Sequence, residues 1–160
     1  MRTLTIRLNS SNQIEVRCGT ESRCGECHYL EMGATESPQD ISTSAPPRQL
    51  LESALQRLMR EWLSILQSLQ IGELVWLPFD FSDETTRWLA VHRTGAEAAV
   101  VFGWAPVEGW VIDSANIGEL ARGLRDFVPD DPLVVQVCQL SELIADIASV
   151  LTEQNEGNSH

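Results

Sequence analysis

Leu51, Leu55, Leu58, Trp62, Ile65 (or Leu66) and Leu69 recur three or four residues apart, so a helix would carry them all on one stripe. Arg57, Arg60, Glu61 and Gln67 fall largely off that stripe. Pro47 suits a first helical turn, and Gly72 suits the position just past a last one. The spacing predicts a helix over residues 48–70. No other feature constrains the fold as strongly, because a stripe this long has to be buried against something. It covers only about three heptads, so packing on a sheet is the expected use rather than a coiled coil.

A sheet is legible on both sides of that helix. Leu4, Ile6 and Leu8 alternate with Thr3, Thr5 and Arg7, and Ile14, Val16 and Cys18 alternate again beyond the turn cluster Asn9-Ser10-Ser11-Asn12. They predict a hairpin over residues 3–18, with Cys24 to Met32 as a further edge piece. Residues 73–79, 86–93 and 98–104 have strand length and composition, and 110–113 (WVID) continues after a Pro-Val-Glu-Gly turn. The links between them leave no room for crossover helices, so the pairing is expected to be an antiparallel meander. In segment 86–93, Trp88, Ala90 and His92 share one face while Leu89 and Val91 share the other. If Leu89 and Val91 face the helices, Trp88 faces outward.

Asn116 followed by Glu119 starts a second helix through Phe127, which Pro129 ends. Leu133 to Cys138 reads as a buried strand. Ser141 then caps a last helix to about Leu151, with Leu143, Ile144, Ile147 and Val150 (or Leu151) inward. The expected class is α+β. One domain over residues 1–153 would hold an antiparallel sheet of about five to six strands, with the long central helix and two shorter C-terminal helices on one face. Residues 33–47 are poor in large apolar groups and are expected as a mobile loop, and residues 154–160 as a disordered tail.

A chain of 160 residues with 43% hydrophobic and 21% charged residues can build one ordinary core. Its charge is less ordinary: 23 acids against 11 bases, all arginine, give a net −12. Such a protein repels phosphate backbones and gains nothing from an anionic bilayer, which argues against nucleic-acid and membrane partners. A basic protein partner would be attracted and steered. The opening MRTLTIRLNSSNQ has no apolar core of a secretory signal, and no apolar run reaches membrane-spanning length, so a cytoplasmic protein with reduced thiols is expected.

The densest chemistry lies in RCGTESRCGECHYLEM. Cys24 to His28 spells C-x-x-C-H, the spacing of a haem attachment, with Met32 or Met59 as a possible sixth ligand. That chemistry needs export, for which no signal is present. Cys18, Cys24, Cys27 and His28 could instead hold zinc, since thiolates and an imidazole suit that ion. Against it, His28 adjoins Cys27, and neighbours rarely reach the same metal. The simpler expectation is reduced, partly buried thiols, with no cofactor. His92 reads as a satisfied structural histidine within a strand. Metalloprotease, P-loop, dinucleotide and nucleophile-elbow motifs are absent, so no catalytic residue is assigned. The carboxylates Asp80, Asp83 and Glu84, with Glu108 and Asp113 flanking Trp110, could support a small carboxylate-based enzyme, but turns carry such residues routinely.

The aromatic pattern says more. Trp76, Trp88, Trp104 and Trp110 fall in the meander beside Asp80, Asp83, Glu84 and Glu108. Exposed tryptophan among acids is the surface a basic protein partner would select. The stretch LPFDFSDETTRWLAVHR…VVFGWAPVEGW, within residues 77–110, resembles segments of small acidic bacterial proteins encoded beside secreted polymorphic toxins, the immunity proteins. That resemblance implies a cytoplasmic, non-enzymatic inhibitor that occludes a cognate, basic toxin domain. The expected contacts are Asp80, Asp83, Glu84, Trp104, Glu108 and Trp110. The competing expectations are a zinc-stabilised adaptor built on Cys18–His28 and, third, the carboxylate enzyme.

Overall fold

The structure is a computed structural model that describes residues 3–30 and 48–157. The expected mobile loop 33–47, and residues 158–160 of the tail expected over 154–160, lie outside these residues. The fold is α+β: strands and helices form two antiparallel sheets and three helices around one continuous core.

The N-terminal alternation forms β1 (Leu4–Leu8) and β2 (Ile14–Cys18) in the expected hairpin, and β3 (Glu21–Gly25) pairs on β2. These three strands make a sheet of their own. Period-2 geometry turns Leu4, Ile6, Ile14, Val16 and Cys18 into the core and leaves Arg7 and Arg17 outside.

The long helix α1 spans Arg48–Gln67. All of its expected stripe is buried, with Leu55, Leu58 and Trp62 at 0% exposure. Full burial of side chains this size stabilises by roughly 1.5–3 kcal/mol each. Both ends are tied down by arginine. Arg48 donates to Asn9 O, Asn12 Oδ1 and Leu8 O, fixing the helix start to the first hairpin turn. Arg93 Nη1 donates to Leu69 O, satisfying a carbonyl just past the helix end. Gly72 then turns the chain with φ +90°, a region that favours glycine.

The meander follows as β4 (Leu74–Pro78), β5 (Thr86–Arg93) and β6 (Glu97–Ala105). Helix α2 (Ile117–Gly123), β7 (Val128–Pro129), β8 (Gln136–Gln139) and α3 (Leu140–Gly157) complete the chain. The second sheet runs β4-β5-β6, with β7 and β8 both pairing on the far edge of β6. Helix α3 closes over β1, where Leu4 N–H donates to Asp146 Oδ2 at 2.9 Å.

Seven sequence expectations are corrected. Residues 110–113 are not a strand. Gly109–Val111 form a 3-10 turn, and Asp113 Oδ1 then accepts from Ala115 N and Asn116 N. Asn116 does not cap α2: its own side chain is spent on Asp113 N and Val111 O. That helix stops at Gly123 rather than Phe127, which frees Phe127 to lie over Gly103 of β6 and 6.4 Å from the Trp76 ring. Leu133 to Cys138 is not buried; β8 is an edge strand, with Leu133 91% and Val137 62% exposed. Trp88 does not face solvent. β5 is central and covered on both faces, so Trp88 and Leu89 are both fully buried. On that same face His92 is exposed, not a satisfied core histidine. Finally, α3 continues past Leu151 to Gly157.

Candidate functional site

The two sheets meet along a seam. The loop leaving β4, Phe79–Asp83, runs beside the segment leaving β3, Gly25–Tyr29. Phe81 N–H donates to Glu26 O at 2.7 Å, and Tyr29 N–H donates to Phe81 O at 3.1 Å. Asp80 completes the seam with its side chain: Oδ1 accepts from Glu26 N–H at 3.0 Å and from Ser82 Oγ at 2.5 Å. Phe79 and Phe81 are fully buried on either side of it. Gly25 has no room for a side chain, since a Cβ there would lie 2.0 Å from Phe79 O. Asp80 is therefore buried, and the expectation that it contacts a partner is corrected.

A third segment docks on the same loop. Gly109 N–H donates to Ser82 O at 2.8 Å. A Cβ on Gly109 would stand 2.4 Å from Phe81 C and 2.5 Å from Ser82 O, so only glycine lets the backbones approach this closely. Buried Thr86 braces the segment by donating to Val107 O at 2.9 Å while accepting from Trp88 Nε1 at 2.7 Å. Ile112, also buried, anchors its far end.

These two dockings bring Tyr29, Asp83, Glu108 and Trp110 to one surface. Tyr29 donates its hydroxyl to Asp83 Oδ1 at 2.6 Å. That hydrogen bond, with the charges of Asp83 and Glu108 behind it, holds the phenol above its ordinary pKa and keeps it a donor. Trp110 donates its indole N–H to Glu108 Oε2 and remains 61% exposed. Glu84, next to Asp83, is exposed. Four of the six expected contact residues, Asp83, Glu84, Glu108 and Trp110, thus share a surface or adjoin it. Trp104 sits apart, on β6 opposite Arg87 and Val128 and 39% exposed. Beside it, Asp130 Oδ2 joins Arg23 at 3.0 Å and Arg87 at 3.3 Å. Tyr29 was missed by sequence reasoning, and nothing in CGECHYLEM marks it out.

The four residues of the zinc alternative do not converge. Cys18 and Cys24 lie on opposite faces of the N-terminal sheet: Cys18 is buried beside Ile14 and Val16, whereas Cys24 is exposed opposite Glu15. Cys27 is buried, which pushes its thiol up to about 12 and keeps it protonated. His28 is exposed, with Nε2 3.3 Å from Glu26. Among the described residues, no group of three or more His, Cys, Asp or Glu is placed to hold a metal ion. The described helices include none long and apolar enough to cross a membrane.

The tight Gly109 contact yields a direct expectation. Gly109→Ala forces the Glu108–Trp110 turn off the Phe81–Ser82 backbone and destabilises by about 1–3 kcal/mol, as overpacking does. Gly118→Ala, a helical glycine with open space around its Cβ position, should be neutral or stabilise by up to about 1 kcal/mol. Urea unfolding of the two variants checks the difference. Equal stabilities would mean that the turn is not docked as described.

No family model, curated protein or solved structure matches this chain.

Proposed function

We propose that this chain is a protein-binding module whose docking surface is Tyr29, Asp83, Glu84, Glu108 and Trp110, and that it acts as an immunity-type inhibitor of a basic toxin domain. The observation that carries this reading is Trp110. A large indole held 61% in solvent, braced by a carboxylate and set beside the Asp83–Tyr29 pair, is an aromatic anchor of the kind that protein interfaces favour. The surrounding charge favours a cationic partner: the chain carries −12, and the surface around Trp110 presents Asp83, Glu84 and Glu108. A toxin that acts on nucleic acid has a basic cleft, and an acidic plug with an aromatic anchor competes for it.

The test is co-expression of the tagged chain with the product of the adjacent open reading frame, scored by growth and by co-purification. The expected result is relief of growth arrest and a stoichiometric basic partner. Because the chain has no lysine, carbodiimide coupling of its carboxylates should report the partner's lysines. Trp110→Ala should weaken the complex by about 30-fold, the scale of an interfacial hot spot. A complex that forms with unchanged affinity without the indole would sink the assignment of this surface.

A further inference from the structure

The far edge of the second sheet ends against the N-terminal sheet. β8 presses on the β2–β3 turn so closely that a Cβ on Gly19 would lie 2.1 Å from Gln136 Oε1. Gln136 Nε2 also reaches Thr20 Oγ1 at 3.5 Å. Period-2 geometry puts Cys138 on the same half-buried face of β8 as Gln136, while Val137 points to solvent. The residue before Gly19 is Cys18. The packing therefore brings two free thiols that are remote in the chain to one junction: Cys18 precedes the Gly19 contact, and Cys138 shares the inner face of β8 with Gln136, where its thiol donates to Ala98 O at 3.9 Å. Cys18 has no exposure, but Cys138 is half-buried and lines an open cleft of about 580 Å³ with Gly19, Thr20, Glu97 and Glu142.

We propose that Cys18 and Cys138 are a redox dithiol, in which a small neutral hydroperoxide oxidises Cys138 and Cys18 resolves the product to an intrachain disulfide. The Cys138 sulfur attacks one oxygen of hydrogen peroxide, the O–O bond breaks, and the departing hydroxide takes the thiol proton and leaves as water, giving a sulfenic acid. The Cys18 sulfur then attacks the Cys138 sulfur, and the S–O bond breaks. The hydroxyl group leaves with the Cys18 proton as a second water. Two thiols give up two electrons to one peroxide.

The neighbouring Cys18 thiol shifts the Cys138 pKa down, which favours attack there, although burial and then Glu142, Asp146 and Glu97 act against it. Cys18 is shifted up, by the neighbouring Cys138 sulfur and by burial, and stays protonated as a resolving thiol should. The cleft also selects its oxidant. Glu97 and Glu142 line it, so anionic glutathione disulfide is repelled while neutral hydrogen peroxide is not.

The experiment treats the reduced full chain with hydrogen peroxide or with glutathione disulfide, followed by intact mass and non-reducing peptide mapping. Expected with peroxide is a loss of about 2 Da and a single cross-link between the Cys18 and Cys138 peptides. The oxidised chain should melt about 10 °C higher, because the bond closes most of the chain into one loop. Cys18→Ala should stop at a sulfenic acid on Cys138 that dimedone traps, and Cys24→Ser should react as the parent does. Should Cys18→Ala fail to fold, the peptide map of the parent decides. Glutathione disulfide should react at least about tenfold more slowly. A cross-link joining Cys24 to Cys27, no mass loss, or equal rates with the two oxidants would overturn the proposal.

Discussion

Asp80→Ala should lower the unfolding temperature by about 5–15 °C, a larger effect than any other single acid-to-alanine change in the 80–84 loop. The carboxylate is 7% exposed, and its Oδ1 accepts one hydrogen bond that joins the sheets, from Glu26 N–H just past β3, and one that fixes its own loop, from Ser82 Oγ. Alanine leaves both donors without this acceptor. Hydrogen bonds to a charged group contribute about 1.5–3 kcal/mol, and a stranded buried donor costs about 1–3 kcal/mol. A loss of about 2–4 kcal/mol follows, at roughly 2–4 °C per kcal/mol for a chain of this size. Asp80→Asn keeps an oxygen at the same place and should recover at least half of the loss. Asp83→Ala removes one exposed hydrogen bond to Tyr29 and should shift the midpoint by only a degree or two. Thermal and urea melts of the three variants decide it. If Asp80→Ala and Asp83→Ala melt together, the seam does not hold the sheets.

That seam is where the sequence is silent. Periodicity is a property of neighbouring residues, so it shows which side chains share a face. The Leu51–Leu69 stripe, the Leu4–Cys18 hairpin and the Thr86–Arg93 strand are accordingly all legible. What periodicity cannot show is what covers a face. Trp88 and Leu89 alternate as a half-buried strand would, yet both are buried because β5 has neighbours on either edge and cover on either side. Val135 and Val137 read as interior, but β8, which contains Val137 and follows Val135, pairs only at one edge. The split into two sheets is likewise set by backbone bonds from Phe81 and Tyr29, groups that every residue carries.

The candidate surface was legible in part for the same reason. Asp83, Glu84, Glu108 and Trp110 could be grouped because acids and tryptophans cluster along the meander. Asp80 could not be told from Asp83, since three positions along one loop do not reveal which carboxylate turns inward. Tyr29 reaches Asp83 only through tertiary pairing across 54 residues. Cys18 and Cys138 are further apart still, and their meeting depends on Gln136 filling the space that Gly19 leaves.

Reversal of Asp83 and Glu84 to lysine should slow association with the proposed basic partner by about 10–100-fold at low ionic strength and change dissociation far less. Long-range steering depends on the field the partner meets on approach, and exposed charges at an interface rim act mainly on the on-rate. Screening supplies the signature: the Debye length falls from about 30 Å at 0.01 M salt to about 8 Å at 0.15 M. The parent's association rate should therefore drop steeply with salt, while the variant starts low and stays nearly flat, so that the two converge. Glu84 is the cleaner probe, because Asp83 also carries the Tyr29 hydrogen bond. The control is an equal reversal elsewhere, Glu52→Lys with Glu97→Lys. Glu52 is on α1, and Glu97 lies at the opposite end of β6 from Trp104. Net charge changes identically in the two double variants. If both slow association to the same degree, attraction comes from the −12 of the whole chain and the Asp83–Trp110 surface has no special part in it. If only the Asp83/Glu84 pair slows it, the field is local, and the partner arrives on the side where Trp110 stands open.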